Sequence, residues 1–208
     1  MRTTAAVAGA ALTTGLGAGL TGCDDSSPPP LPSDLPAYED SPASAGSAPA
    51  SLFTHGVASG DPSADSVRLW TRVSPEGAPS EVPVFYEVAL DPQFTRRVGA
   101  GTVTTSAARD YCVQQDVSAL IWGRTYYYRF QSGGRSSLVG RTRLAPTDGA
   151  ARLSFGVVAC SNLARGWFHA YDHLAGRDDL DAVLHMGDFI YESPSSVDMP
   201  RAHEPAHE

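Results

Sequence analysis

Between residues 52 and 146 apolar side chains recur at every second position, in short runs broken by turn residues. This period of two limits the fold more than any other feature of the chain, because it matches a strand with one buried face and cannot be laid on a helix of period 3.6. In Ser66-Val67-Arg68-Leu69-Trp70-Thr71-Arg72-Val73, one face carries Val67, Leu69, Thr71 and Val73, and the other carries Arg68, Trp70 and Arg72. Val84, Tyr86, Val88 and Leu90 repeat the pattern. Tyr126-Tyr127-Tyr128-Arg129-Phe130-Gln131 is aromatic and β-prone, Gly133-Gly134 reads as a turn, and residues 137–144 are expected to return as another strand. Roughly seven strands in about 95 residues, with turns at that spacing, predict a fibronectin-III- or Ig-like β-sandwich over residues 52–148. No internal repeat is evident.

At Arg152 the texture changes. Leu153-Ser154-Phe155-Gly156-Val157-Val158-Ala159 is nearly continuous in apolar residues, as expected of a strand covered on both faces. Cys160-Ser161-Asn162 follows as a helix N-cap region. Trp167, Tyr171 and Leu174 then fall at i, i+4 and i+7 on one helix face, and Gly176 ends the helix. Asp181-Ala182-Val183-Leu184-His185-Met186 is a second apolar strand, closed by Gly187-Asp188. The segment reads strand–helix–strand, with parallel strands and a right-handed crossover. The fold class is therefore mainly β, a sandwich followed by the first βαβ unit of an α/β domain spanning residues 149–208.

The first fifty residues are of another kind. Residues 1–23 read as an export leader ending Leu20-Thr21-Gly22-Cys23, where small residues suit a signal peptidase and the Cys23 thiol is placed to accept a lipid. Arg2 is the leader's only cation, so a translation start upstream of Met1 is one hypothesis. Residues 24–51 form a Pro/Ser/Ala linker. Seven Pro and six Ser lie within residues 24–50, and so few large apolar side chains cannot offset the entropy of ordering.

Charge excludes several chemistries. All 15 basic residues are Arg, against 23 acidic ones, for a formal net charge of −8. With no lysine there is no P-loop lysine, no Schiff base and no pyridoxal anchor. Single, scattered arginines on an acidic chain argue against nucleic-acid binding through a basic patch.

In a parallel α/β sheet, ligands gather beyond the carboxyl ends of the strands. Cys160 follows the first strand, Asp188 follows the second, and Tyr191 lies one tight turn further on. A thiolate, a carboxylate and a phenolate repel one another unless a highly charged cation sits among them, and phenolate favours a hard ion such as ferric iron. Gly187, lacking a side chain, lets the backbone approach closely. Other readings stay open. Cys160 is alternatively a buried core thiol, or pairs with Cys112 in a disulfide that would remove the ligand; Cys112 itself otherwise reads as packing. His203-Glu204-Pro205-Ala206-His207 matches the spacing of a zinc-protease helix, but Pro205 disfavours the helix that motif needs.

Gly187-Asp188-Phe189-Ile190-Tyr191 is similar to the GDxxY block of metallophosphoesterases that use ferric iron, the purple-acid-phosphatase type among them. Four further blocks resemble the alkaline phosphatase D family: Phe53-Thr54-His55-Gly56-Val57-Ala58-Ser59-Gly60-Asp61-Pro62, Val67 to Arg72, Gly123 to Phe130, and Phe155 to Cys160. Where a general metallophosphoesterase carries Asp-x-His after its first strand, this chain has Cys160-Ser161-Asn162, which favours that branch. The resemblance implies an exported hydrolase of phosphate mono- and diesters holding Fe3+ and Ca2+. It implies Cys160, Asp188 and Tyr191 as iron ligands, with Asp188 catalytic and bridging to calcium. Asn162 and His185 are expected beside them as supports. The family continues with further Asn, Asp and His ligands that have no counterpart among residues 192–208, so the chain is expected to stop mid-domain and to have little activity alone. Membrane contact is expected only through the lipid on Cys23, placing the protein in the cell envelope or outside the cell. The rival expectation is a non-catalytic envelope lipoprotein whose sandwich is a binding module.

Overall fold

The computed structural model describes residues 52–147 and 152–191. Eight strands lie in the first stretch: β1 (Val57–Gly60), β2 (Val67–Arg72), β3 (Val82–Ala89), β4 (Arg97–Thr105), β5 (Cys112–Val117), β6 (Tyr126–Ser132), β7 (Arg135–Ser136) and β8 (Gly140–Thr142). They form two antiparallel sheets. One has the order β1-β2-β5, the other β4-β3-β6-β7, with β8 also pairing with β6. The period of two does what it predicts in β2: Val67, Leu69, Thr71 and Val73 are at most 2% exposed, while Arg68 on the other face is open to solvent.

Both sheets feed one apolar core. Val67, Leu69 and Val113 come from the three-stranded sheet, and Val84, Val88 and Phe130 from the other. Tyr126, 1% exposed at the start of β6, turns its hydroxyl back onto the preceding loop. It accepts from Ile121 N at 2.8 Å and donates to Ile121 O at 3.0 Å, so both of these part-buried backbone groups are satisfied. Gly133 and Gly134 have φ of +53° and +73°, the left-handed values that a two-residue hairpin turn needs to match strand twist. Of the strand expected over 137–144 only Gly140–Thr142 forms, as β8 paired with β6; the hairpin is closed before it by β7. A Cβ at Gly140 would lie 2.2 Å from the Tyr128 ring, so this close approach requires glycine.

Strand β3 departs from simple alternation because its outer face is buried too. Glu87 is 1% exposed and lies opposite Arg129 of β6, whose Nε donates to Glu87 Oε1 at 2.5 Å. Gln131 Nε2 donates to the same oxygen at 3.3 Å, Arg97 Nη1 lies 3.8 Å from Oε2, and the Arg129 guanidinium sits 4.1 Å from the Phe94 ring centroid. The buried charge is thus neutralised by residues of both neighbouring strands.

Beyond residue 152 the chain forms β9 (Phe155–Val158), α1 (His169–Ala175) and β10 (Ala182–His185). β9 and β10 are parallel, Phe155 opposite Ala182 and Val158 opposite His185, as the strand–helix–strand reading requires. Gly156 faces Leu174 and Leu180, which cover that side of β9. The other side is not covered among the described residues: Phe155 is 47% and Val157 63% exposed, so the expected burial on both faces is not met there. The helix also begins later than its apolar spacing predicts. Leu163–Arg165 is a separate 3-10 turn and Gly166 is extended, so Trp167 precedes α1 and does not share its face with Tyr171 and Leu174. Two ion pairs tie this unit to the β8 edge, Arg141 with Asp178 and Arg143 Nη1 with Asp181 at 3.0 Å.

Cys112 and Cys160 are both free thiols and Cys160 is exposed, so neither the disulfide nor the core-thiol reading holds. Among the described residues no helix is long and apolar enough to cross a membrane. The leader, Cys23, the linker and residues 192–208, including His203-Glu204-Pro205-Ala206-His207, lie outside the described residues.

Candidate functional site

The parallel pair β9–β10 ends in two loops that stay stitched together. Met186 N donates to Val158 O at 2.8 Å, Cys160 N to Gly187 O at 3.1 Å, and Ser161 N to Asp188 O at 3.0 Å. Within this ladder Cys160 and Asp188 turn into the left-handed region, with φ of +59° and +54°, and Gly187 between strand and carboxylate has φ of +117°. For non-glycine residues that conformation costs about 1–2 kcal/mol each, and such strain gathers where a fold holds groups for function. The backbone bonds between the loops hold it in place.

The turns bring three side chains to one oxygen. Cys160 Sγ lies 3.4 Å from Asp188 Oδ2 and donates to it, and Tyr191 Oη donates to the same oxygen at 3.1 Å. The Cys160 sulfur beside it, then lost hydration, then the Asp188 carboxylate push the Tyr191 phenol well above its ordinary range, which favours its protonated form. The set is a thiol, a carboxylate and a phenol, each able to present negative charge once deprotonated. Thiolate and oxygen donors of this kind fit a transition-metal ion. Among the described residues no group of three His, Cys, Asp or Glu side chains is gathered, and the third donor here is the phenol.

His185, the last residue of β10, supports the loops without joining the donors. Gly187 N donates to its Nδ1 at 3.2 Å, which leaves the ring hydrogen on Nε2. That nitrogen faces Tyr171 Oη at 2.9 Å and Ser161 Oγ at 3.4 Å, and Ser161 Oγ also donates to Phe189 O at 3.3 Å. The imidazole packs between the Tyr171 and Phe189 rings, with centroids at 6.3 and 5.1 Å. One histidine therefore ties helix α1 to both loops. Asn162 Oδ1 accepts from Ala164 N at 3.0 Å and caps the 3-10 turn, within the segment expected to cap a helix.

Beside Cys160 and Tyr191 opens a cleft of about 630 Å³, lined also by Asn162, Arg165, Trp167 and Phe168. A volume of this order suits a small-molecule ligand. Sequence reasoning missed Ser161 and Tyr171 as supports and Arg165 as cleft lining. The one available signal was that Ser161 and Arg165 sit within five residues of Cys160; Tyr171 meets His185 only through the fold.

Comparison with known proteins gives matches over most of the chain. The family model described as PhoD-like phosphatase, N-terminal domain matches residues 39–146, and the model described as PhoD-like phosphatase matches residues 155–208. The chain is 41% identical to alkaline phosphatase D of Bacillus subtilis (strain 168) over 148 residues, which is 67% of this chain and 25% of that protein. A solved structure titled "Structure of PhoD" is similar with a TM-score of 0.65 and 39% identity, over 72% of this chain and 30% of that one. The chain thus spans about a quarter of the length of the curated relative.

Proposed function

The chain belongs to the PhoD-like phosphatase family, and on that premise we propose that it carries part of the metal site of an exported phosphate-ester hydrolase acting on mono- and diesters. The observation that supports this reading best is the convergence of Cys160 and Tyr191 on Asp188 Oδ2, at 3.4 and 3.1 Å. In this reading Cys160, Asp188 and Tyr191 would hold a ferric ion, and Asp188 would also be a ligand for a calcium ion.

When bound, these ions supply Lewis-acid neutralisation of the phosphate oxygens and activation of water. The chain's own residues supply the rest. Cys160 Sγ and Tyr191 Oη must each give up the proton now directed at Asp188 Oδ2, so binding the ion releases protons. His185 and Ser161 keep the two loops in register, which fixes the separation of the donors. The left-handed turns at Cys160 and Asp188 hold those side chains ready and lessen the cost of ordering them on binding. The described residues provide three donors, which leaves coordination positions open, so slow turnover is expected from them alone. Export is to proceed through residues 1–23, with lipid attached at Cys23.

The test is spectroscopic. Ferric iron added to the purified chain should produce a visible charge-transfer band from phenolate and thiolate. Tyr191→Phe should remove the phenolate part, Cys160→Ser should shift the remainder, and Asp188→Asn should weaken binding of the ion. A colourless ferric complex, or a band that survives Tyr191→Phe and Cys160→Ser together, overturns the assignment. A chromogenic phosphodiester measures turnover in the same samples, and any turnover should disappear in Cys160→Ala.

A further inference from the structure

We propose that Arg165 and Trp167 form the substrate side of this site, and that they select phosphate esters whose alcohol part is flat and apolar, such as an aryl group. The inference rests on the metal reading above.

Other arginines of this unit and its junction with β8 are engaged: Arg141 with Asp178, Arg143 with Asp181, Arg177 with Asp179. Arg165 is exposed and has no acidic partner among the described residues, yet it lines the same cleft as Cys160 and Tyr191. Its backbone is well placed. Asn162 caps the 3-10 turn through Ala164 N, Arg165 N donates to Asn162 O at 3.3 Å, and Ala164 is 2% exposed, so the turn is pinned where Arg165 meets the cleft. An arginine presents a planar fork of donors that matches two phosphate oxygens at once. Beyond it the cleft wall is aromatic. Trp167 is 65% and Phe168 42% exposed, and Phe168 is backed by Tyr171 with ring centroids at 5.8 Å. Exposed aromatic rings beside a cation with no acidic partner among the described residues, in a cleft that also reaches the metal donors, suit a ligand with an anionic head and a flat apolar body.

Calorimetric titration of the iron-loaded chain with phenyl phosphate and with inorganic phosphate tests this, with the charge-transfer band recorded in every sample. Arg165→Gln should weaken both ligands about tenfold or more, the scale of a lost charge-assisted pair. Arg165→Lys should recover part of the loss. Trp167→Leu should weaken phenyl phosphate about threefold to tenfold, as expected for one lost aromatic contact, and leave inorganic phosphate unchanged. Arg165→Gln binding phenyl phosphate as tightly as the unaltered chain overturns the role of Arg165. An unchanged ratio of the two ligands in Trp167→Leu overturns that of Trp167. A band that persists while affinities stay unchanged refutes this inference alone; a missing band in the unaltered chain refutes the metal reading and this inference with it.

Discussion

Replacing Gly187 by alanine isolates what the loop geometry contributes to the site. A Cβ at this position meets nothing within 4 Å, so the substitution adds no clash. The backbone φ of +117° remains, and an alanine is strained there by about 1–3 kcal/mol. The neighbouring side chains do not force the loop to bear that strain, since Met186 is 71% and Phe189 68% exposed. The chain without iron should therefore relax locally by giving up the bonds from Cys160 N and Ser161 N to this loop, and its thermal midpoint should fall little. Ion binding demands the original loop, because Gly187 O accepts from Cys160 N and Asp188 O from Ser161 N. The strain should then appear in the affinity for ferric iron, as a loss of about 5- to 150-fold at 1.4 kcal/mol per tenfold. Titration followed by the visible band, together with thermal unfolding of the iron-free chain, measures both quantities. Gly133→Ala is the control, since its φ of +53° is also left-handed and its Cβ position is also open. It should cost about 1 kcal/mol of stability and leave iron affinity unchanged. Iron binding by Gly187→Ala within twofold of the unaltered chain would refute the claim that this turn positions the donors.

Three further outcomes are expected. Glu87→Ala leaves Arg129 and Arg97, 25% and 21% exposed, without their buried carboxylate; with allowance for that exposure it should destabilise the chain by about 2–4 kcal/mol in urea unfolding. Glu87→Gln, which keeps an acceptor for Gln131 and Arg129, should cost less. Tyr126→Phe removes both hydrogen bonds to the part-buried Ile121 backbone and should cost about 0.5–1.5 kcal/mol in the same assay. Asp91 is held below the usual carboxylate range by backbone donation from Thr95 first, then from Arg96, by the Thr95 hydroxyl and by Gln93 N. Its folded pKa lies below its unfolded one, so its contribution is complete above about pH 4 and fades as pH falls through the depressed value. The urea midpoints of Asp91→Asn and the unaltered chain should differ at neutral pH and converge in acid; a difference that grows in acid would contradict the assignment.

Much of this was legible in the residues, for reasons that differ by element. β2 follows its alternation because a strand with one buried face has only one arrangement of Val67, Leu69, Thr71 and Val73 that removes them from water. The parallel pair β9–β10 was readable from two apolar runs separated by a helical stretch, since a crossover of that length leads to a parallel neighbour. Reading failed where a local signal met a competing one. The i, i+4, i+7 spacing of Trp167, Tyr171 and Leu174 promised one helix face, but the Asn162 cap and extended Gly166 closed a separate turn first. The outer face of β3 looked ordinary because nothing near Glu87 in the chain announces Arg129, which lies 42 residues away.

The same division runs through the site. The sequence by itself determined which donors are available: a thiol after one apolar strand, a carboxylate and a phenol after the next, and a glycine before the carboxylate. These are local facts of residue type and spacing, and the chemistry of each group travels with it. Only the tertiary structure decided that Cys160 meets Asp188 across 28 residues, that both turn left-handed, and that His185 ties them to Tyr171 of the helix. Only the folded chain, likewise, sets Arg165 and Trp167 around the same cleft. Contacts between distant residues depend on strand register and on where a helix begins, and those are settled by packing and capping energies summed over the whole fold.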